Sequence, residues 1–145
     1  MDQEKTKTSS TNQEIMTSTQ TRVVLSNLRS AEFEPALLWH RVNDDAELLN
    51  DLVEIFAQQG PELLAEIEAS IDEGSHLRLK RAGHKMKGSA LQLSAPGVAA
   101  LASKLEELAE KESLDGARDA LANLRTAIQT LMEKLRLMSA AARPH

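Results

Sequence analysis

Between Gly74 and Leu105 the chain carries six basic residues (Arg78, Lys80, Arg81, Lys85, Lys87 and Lys104) and no aspartate or glutamate, and His84 stands at the centre of the run. On a helix of about 100° per residue, Lys80 and Lys87 fall roughly 40–60° to one side of His84, and Arg81 and Gly88 a similar angle to the other. Leu77 and Leu91 return to the His84 face, whereas Ala82, Met86 and Leu93 point the opposite way. The spacing that buries those three therefore turns the imidazole outward. A neutral imidazole nitrogen can attack a phosphoryl group, and surrounding cations would hold the phosphohistidine that forms. Imidazole suits this work because much of it is neutral, and so nucleophilic, near cell pH. Lys87, one turn from His84, is placed to neutralise phosphate oxygens, while Lys80 and Arg81 either assist or orient a partner. Gly88 weakens its helix by about 0.5–1 kcal/mol relative to alanine, and its missing side chain leaves room for something bulky to approach the ring.

Amphipathic helices must position these residues. A short first helix around Phe33, Leu37, Leu38 and Val42 is expected to end near Asn43. Asp44 and Glu47 resemble a capping box at the start of a long second helix carrying Leu48, Leu49, Leu52, Val53, Phe56, Leu63, Leu64, Ile67 and Ile71. Gly60-Pro61 interrupts that pattern, and one bent helix is expected there rather than two. Gly74-Ser75 supplies a stop and a cap, and the third helix, from about His76 to Leu93, buries Leu79, Ala82, Met86, Ala90 and Leu93. Ser94-Ala95-Pro96-Gly97 precedes a fourth helix that turns Val98, Leu101, Leu105 and Leu108 inward. After a turn over Ser113 to Gly116, the last helix repeats Ala117, Leu121, Leu124, Ile128, Leu131, Leu135 and Met138 in steps of three and four, the seam of a left-handed bundle. Short connections between long amphipathic helices make an all-α fold, an antiparallel up-down four-helix bundle with a short additional N-terminal helix. Residues 1–30, rich in Ser, Thr, Gln and Asn, read as a flexible polar tail or linker, 31–139 as the bundle and 140–145 as a frayed end.

The composition agrees. Among 145 residues there are 17 Lys and Arg against 22 Asp and Glu, a net charge of −5, so the basic stretch stands out on an otherwise acidic chain. The absence of cysteine excludes disulfides, thiolate metal sites and cysteine nucleophiles. Aromatic residues make up 2%, too few for a base-stacking surface, and nucleic acid is not an expected partner. No apolar run reaches the roughly 18 residues of a membrane span, nor does the polar N-terminus read as a signal peptide, so the expected location is cytoplasmic. His40, His76 and His145 lack a comparable setting, and no His–His or His–carboxylate spacing repeats on one helical face as a zinc site requires.

His84-Lys85-Met86-Lys87-Gly88-Ser89-Ala90 resembles the H-x-x-K-G-S/A-S/A signature of histidine-containing phosphotransfer (HPt) domains. The resemblance extends over about Phe33 to Leu137, including Phe33 through Arg41, the Leu93-Ser94-Ala95 junction and Leu105-Glu106 before the closing helix. It implies a four-helix bundle whose exposed histidine takes phosphate from an aspartate of a response-regulator receiver domain and passes it to another. By the same resemblance His84 is the phosphorylated residue, Lys87 the phosphate-stabilising cation and Gly88 the small residue that admits the receiver. Leu77, Lys80, Arg81, Lys85, Leu91 and Gln92 are then candidate partner contacts. Four positions depart from the commoner pattern: Gly83 for alanine, which would loosen the helix locally; Lys85-Met86 for Thr-Leu, which adds charge; and Ser94 for glycine.

The implied partners are receiver domains and a hybrid histidine kinase, the chain acting as a monomeric carrier, not an enzyme. It needs no cofactor of its own, the divalent metal belonging to the receiver. Two alternatives stand beside this one. The chain is the phosphoacceptor domain of a hybrid or chemotaxis-type kinase, or it is a helical adaptor that binds an acidic partner without being phosphorylated. A complete kinase is excluded by length and by the lack of glycine-rich nucleotide-binding motifs.

Overall fold

The computed structural model describes residues 33–142, and the expected polar segment 1–30 lies outside them. Among the described residues all regular structure is helical: α1 (Pro35–Arg41), α2 (Ala46–Glu73), α3 (His76–Gln92), α4 (Pro96–Glu110) and α5 (Ala117–Ala142). Neighbouring helices are α2 with α3, α3 with α4, α4 with α5, and α5 with α2, which closes a ring. Cross-helix contacts run in opposite sequence directions, as in Arg118 with Asp72 and Arg125 with Glu68 between α5 and α2, so these long neighbours are antiparallel.

The core is the convergence of one stripe from each helix. Leu49, Val53, Phe56 and Ile67 of α2 meet Leu79, Ala82, Met86 and Ala90 of α3, and Leu121, Leu124, Ile128, Leu131 and Leu135 of α5 close the opposite side. Phe33, Leu38 and Val42 seal one end. The face expected for α3 is the face it buries. In α4 the buried row is instead Val98, Ala99, Ala102, Leu105 and Ala109, with Leu101 and Leu108 only half buried at its margins. Its alanines let α3 come close, which larger leucines on that line would prevent. Leu48 is likewise exposed.

Caps explain where the helices begin and end. The side chain of Asp45, not Asp44, accepts the Glu47 and Leu48 amides at the start of α2. Asp44 sits at φ 58, outside the extended region a capping residue uses. Ser75 caps α3 through the Arg78 amide, as expected. Pro35 and Pro96 occupy first turns, where no amide is missed. Pro61 lies exposed within an unbroken α2, so its lost hydrogen bond falls on the solvent side and one helix results. α5 runs on to Ala142, past the fraying expected from Ala140, because three consecutive alanines keep up the helix.

Each of α1 to α4 ends in the same device. At Asn43, Gly74, Ser94 and Glu112 the chain turns left-handed, and the next amide reaches back to the carbonyl five residues earlier: Asp44 to Trp39, Ser75 to Ser70, Ala95 to Ala90 and Ser113 to Leu108. One of these four positions is glycine. At Ser94 the departure from glycine has a visible cost, with φ 58 and a buried hydroxyl that lacks a hydrogen bond. Ser94→Gly is expected to raise unfolding free energy by about 1 kcal/mol, after the entropy that glycine adds to the unfolded chain. Urea denaturation of the two proteins measures it.

Candidate functional site

His84 lies on the outer face of α3 with its side chain 69% exposed. Its fixed neighbour comes from α4. Nδ1 is 3.0 Å from Glu106 Oε2, and Lys87 Nζ is 2.9 Å from Oε1 of the same carboxylate. Glu106 is only 14% exposed, wedged between the two helices. Partial burial pushes its carboxyl up, but the Lys87 ammonium and the His84 imidazole outweigh that and hold it below the ordinary carboxylate value. Glu106 is therefore ionised and can only accept, so in the neutral ring the proton sits on Nδ1 and Nε2 carries the free lone pair.

The cations distribute differently from a uniform positive face. Lys80 Nζ pairs with Glu110 Oε2 at 3.1 Å, one turn along α4 from Glu106. Arg78 turns to the α2 side, where Nε and Nη2 each lie 2.9 Å from the Glu66 carboxylate and Nη1 meets Glu73. That guanidinium holds the Glu66 carboxyl below its usual range. So Lys80 and Lys87, expected to stand beside His84 as unneutralised cations, are each balanced by a glutamate of α4. Among the described residues Arg81 and Lys85 make no ion pair, and both are exposed. Of the charges on α3, those free to attract a partner thus lie on the α2 side of His84.

Gly88 is exposed, and a Cβ there would meet no atom within 4 Å, so the protein's own packing does not require glycine. Gly83 is the reverse. It is buried against α4, where a Cβ would lie 3.2 Å from the Ala102 carbonyl oxygen and 3.4 Å from the Glu106 amide nitrogen. Its place is a close backbone approach, not a loosened helix. Leu77 and Leu91 are 58% and 49% exposed on the His84 face, and Gln92 is exposed at the end of α3. Arg41 Nη1 donates to the Leu91 carbonyl at 2.7 Å, tying α1 to that end. On α2, Gln59 Oε1 lies 3.5 Å from Ser89 Oγ, and Ile55, one turn back on the same helical face, is 50% exposed. Together these make a surface with apolar points around one nucleophilic nitrogen.

Sequence reasoning placed His84, Lys87 and Gly88 on this face but missed Glu106 as a member of the site. The signal available was weak: Glu106 immediately follows the acid-free stretch and lies four residues before Glu110, so both fall on one face of α4. Among the described residues no cluster of three or more metal-ligating side chains forms.

A family model described as the Hpt domain matches residues 51–136. No curated protein matches the chain by sequence. Among solved structures, the fold is similar to the crystal structure of histidine-containing phosphotransfer protein B from Pseudomonas aeruginosa PAO1, with a TM-score of 0.65 and 21% identity, over 75% of this chain and 92% of that one.

Because folding lowers the Glu106 carboxyl below its unfolded value, its contribution to stability is complete well above the ordinary carboxylate range and is lost as pH falls through the lower folded value. Lys87→Met is expected to move that titration upward. Carbon-13 detection of the Glu106 carboxyl measures both, and an unchanged midpoint in the variant would show that Lys87 does not hold the carboxylate.

Proposed function

Since this chain belongs to the Hpt domain family, we propose that it is a histidine phosphotransfer protein of a multistep phosphorelay, accepting phosphate on His84 from a receiver-domain aspartate and returning it to another. The observation that carries this reading is the exposed His84 ring, with Nδ1 tied to Glu106 and Lys87 one turn away. The antiparallel ring of α2 to α5 supports an up-down four-helix bundle, with α1 as the additional short helix.

The step follows from the tautomer. The Nε2 lone pair attacks phosphorus of the aspartyl phosphate, the P–O bond to the acyl oxygen breaks, and its electron pair returns to the aspartate as carboxylate. No proton has to leave the ring. The phosphoimidazole keeps its Nδ1 proton and becomes cationic, and the Glu106 carboxylate beside Nδ1 stabilises that charge in the low-dielectric contact of two docked proteins. Lys87 has three N–H donors, so it can keep Glu106 while giving another to a phosphoryl oxygen. Transfer onward is the reverse of these events with a second aspartate. The chain supplies nucleophile and positioning, whereas the receiver supplies the acidic pocket and its divalent metal; no nucleotide or cofactor is needed here.

Docking uses the face around His84. Gly88 gives clearance, Leu77 and Leu91 give apolar anchors above and below, and Arg81 and Lys85 meet the acidic rim of the receiver, with Lys80 and Gln92 at the border. Ile55 and Gln59 extend the footprint onto α2. We further propose that the carrier acts as a monomer in the cytoplasm, between a hybrid histidine kinase and a response regulator. No helix among the described residues is long and apolar enough to cross a membrane.

Incubation with a panel of phosphorylated receiver domains tests the reading. Acid-labile, base-stable label should pass to the wild type and not to His84→Gln, which keeps its fold and its receiver affinity. A folded protein that binds receivers but takes label from none would overturn the relay reading. Leu91→Asp is expected to weaken receiver binding by about tenfold or more, the cost of burying an unpaired charge at an apolar contact. Titration calorimetry against the cognate receiver measures it.

A further inference from the structure

α3 contains two glycines whose surroundings differ completely. Gly88 looks onto open space, while Gly83 is packed against the backbone of α4 at Ala102 and Glu106. We propose that Gly83 is a positioning residue, setting the α3–α4 separation at which the Glu106 carboxylate reaches His84 Nδ1. The proposal depends on the phosphotransfer reading for its consequence, not for its geometry.

Two facts join at one place. The residue before the histidine touches the backbone of the residue that bears the carboxylate: a Cβ at 83 would sit 3.4 Å from Glu106 N and 3.7 Å from Glu106 Cα. The neighbour closest to that Cβ is also backbone, the Ala102 carbonyl oxygen at 3.2 Å. Backbone cannot rotate aside as a side chain does, so an added methyl has to move α4 by a few tenths of an ångström. The His84–Glu106 hydrogen bond stands at 3.0 Å, inside a window that closes near 3.2 Å. A displacement of that size is enough to weaken it. Glu106 also holds Lys87 through its other oxygen, so a shift of α4 disturbs the pair together. Glycine is otherwise a poor choice in a helix interior, and at position 83 the close approach supplies the reason for it.

The experiment uses the full chain and four proteins: wild type, Gly83→Ala, Glu106→Gln and the double variant, each also made with Ser94→Gly to offset any loss of stability. Nitrogen-15 shifts of the His84 ring give the balance of neutral tautomers. Phosphoramidate serves as a small donor whose P–N bond breaks to release ammonia as Nε2 bonds to phosphorus, so no receiver is needed. Gly83→Ala is expected to move the tautomer balance from Nδ1–H toward Nε2–H and to slow phosphorylation about three- to tenfold, the equivalent of one hydrogen bond. In the Glu106→Gln background it is expected to change neither. An unaltered tautomer balance in folded Gly83→Ala overturns the proposal. So does a slowing that is equally large without the Glu106 carboxylate, or a chain that stays unfolded even with Ser94→Gly. Failure of every protein to take phosphate would count against the phosphotransfer reading alone, since the tautomer measurement does not require it.

Discussion

The organising constraint is the closeness of α3 and α4. A small-residue line, Gly83 facing Ala102 with Ala99 and Ala109 along the same side of α4, lets two backbones approach where leucine rows would hold them apart. That approach brings a carboxylate from one helix against an imidazole on the other. Long side chains on exposed helices ordinarily spend their time solvated, and surface ion pairs are worth little for that reason. Glu106 escapes this because the helices enclose it, so the two groups it holds are fixed by packing rather than by the strength of the pair. The bundle core, by burying Leu79, Ala82, Met86 and Ala90, then fixes the azimuth at which α3 displays His84.

This arrangement changes the meaning of the positive stretch. Read along the chain it is a block of like charge, and the simplest expectation is a uniform field drawing in an anion. In space the block is divided. Lys80 and Lys87 are balanced by α4, Arg78 is clamped by α2, and Arg81 and Lys85 make no ion pair among the described residues. Neutralised lysines beside the ring are poor long-range attractors, yet they are well placed for a phosphoryl group that has already arrived. On the proposed function, steering and stabilisation would fall to different residues of one helix.

The parts of the protein that a single sequence discloses are those that depend on periodicity. The buried face of α3, the seam of α5 and the outward direction of His84 all follow from spacing, and Gly74-Ser75 announces its own stop and cap. What periodicity cannot disclose is which residues from different helices meet. Glu106 lies 22 residues from His84, and its role exists only once α4 packs antiparallel on α3. The helix ends were obscured for a different reason. Asn43, Ser94 and Glu112 adopt the left-handed turn without being glycine, so the usual marker is missing at three of four sites, and the cap shifted from Asp44 to Asp45 because Asn43 and Asp44 are consumed by the turn.

Gly83 shows how a local penalty can be read correctly and still be assigned the wrong meaning. Within the sequence a glycine before the histidine is a weakness, since nothing in α3 itself asks for it. Across the interface a methyl at this position would crowd the Ala102 carbonyl and the Glu106 amide. Gly88, on the same helix, pays the same penalty and fills no internal need. Its vacancy points outward, toward whatever docks over His84. On the proposed reading the two glycines divide the requirements of a carrier: Gly83 lets α4 bring Glu106 within reach of the imidazole from inside the protein, and Gly88 leaves the ring approachable from outside.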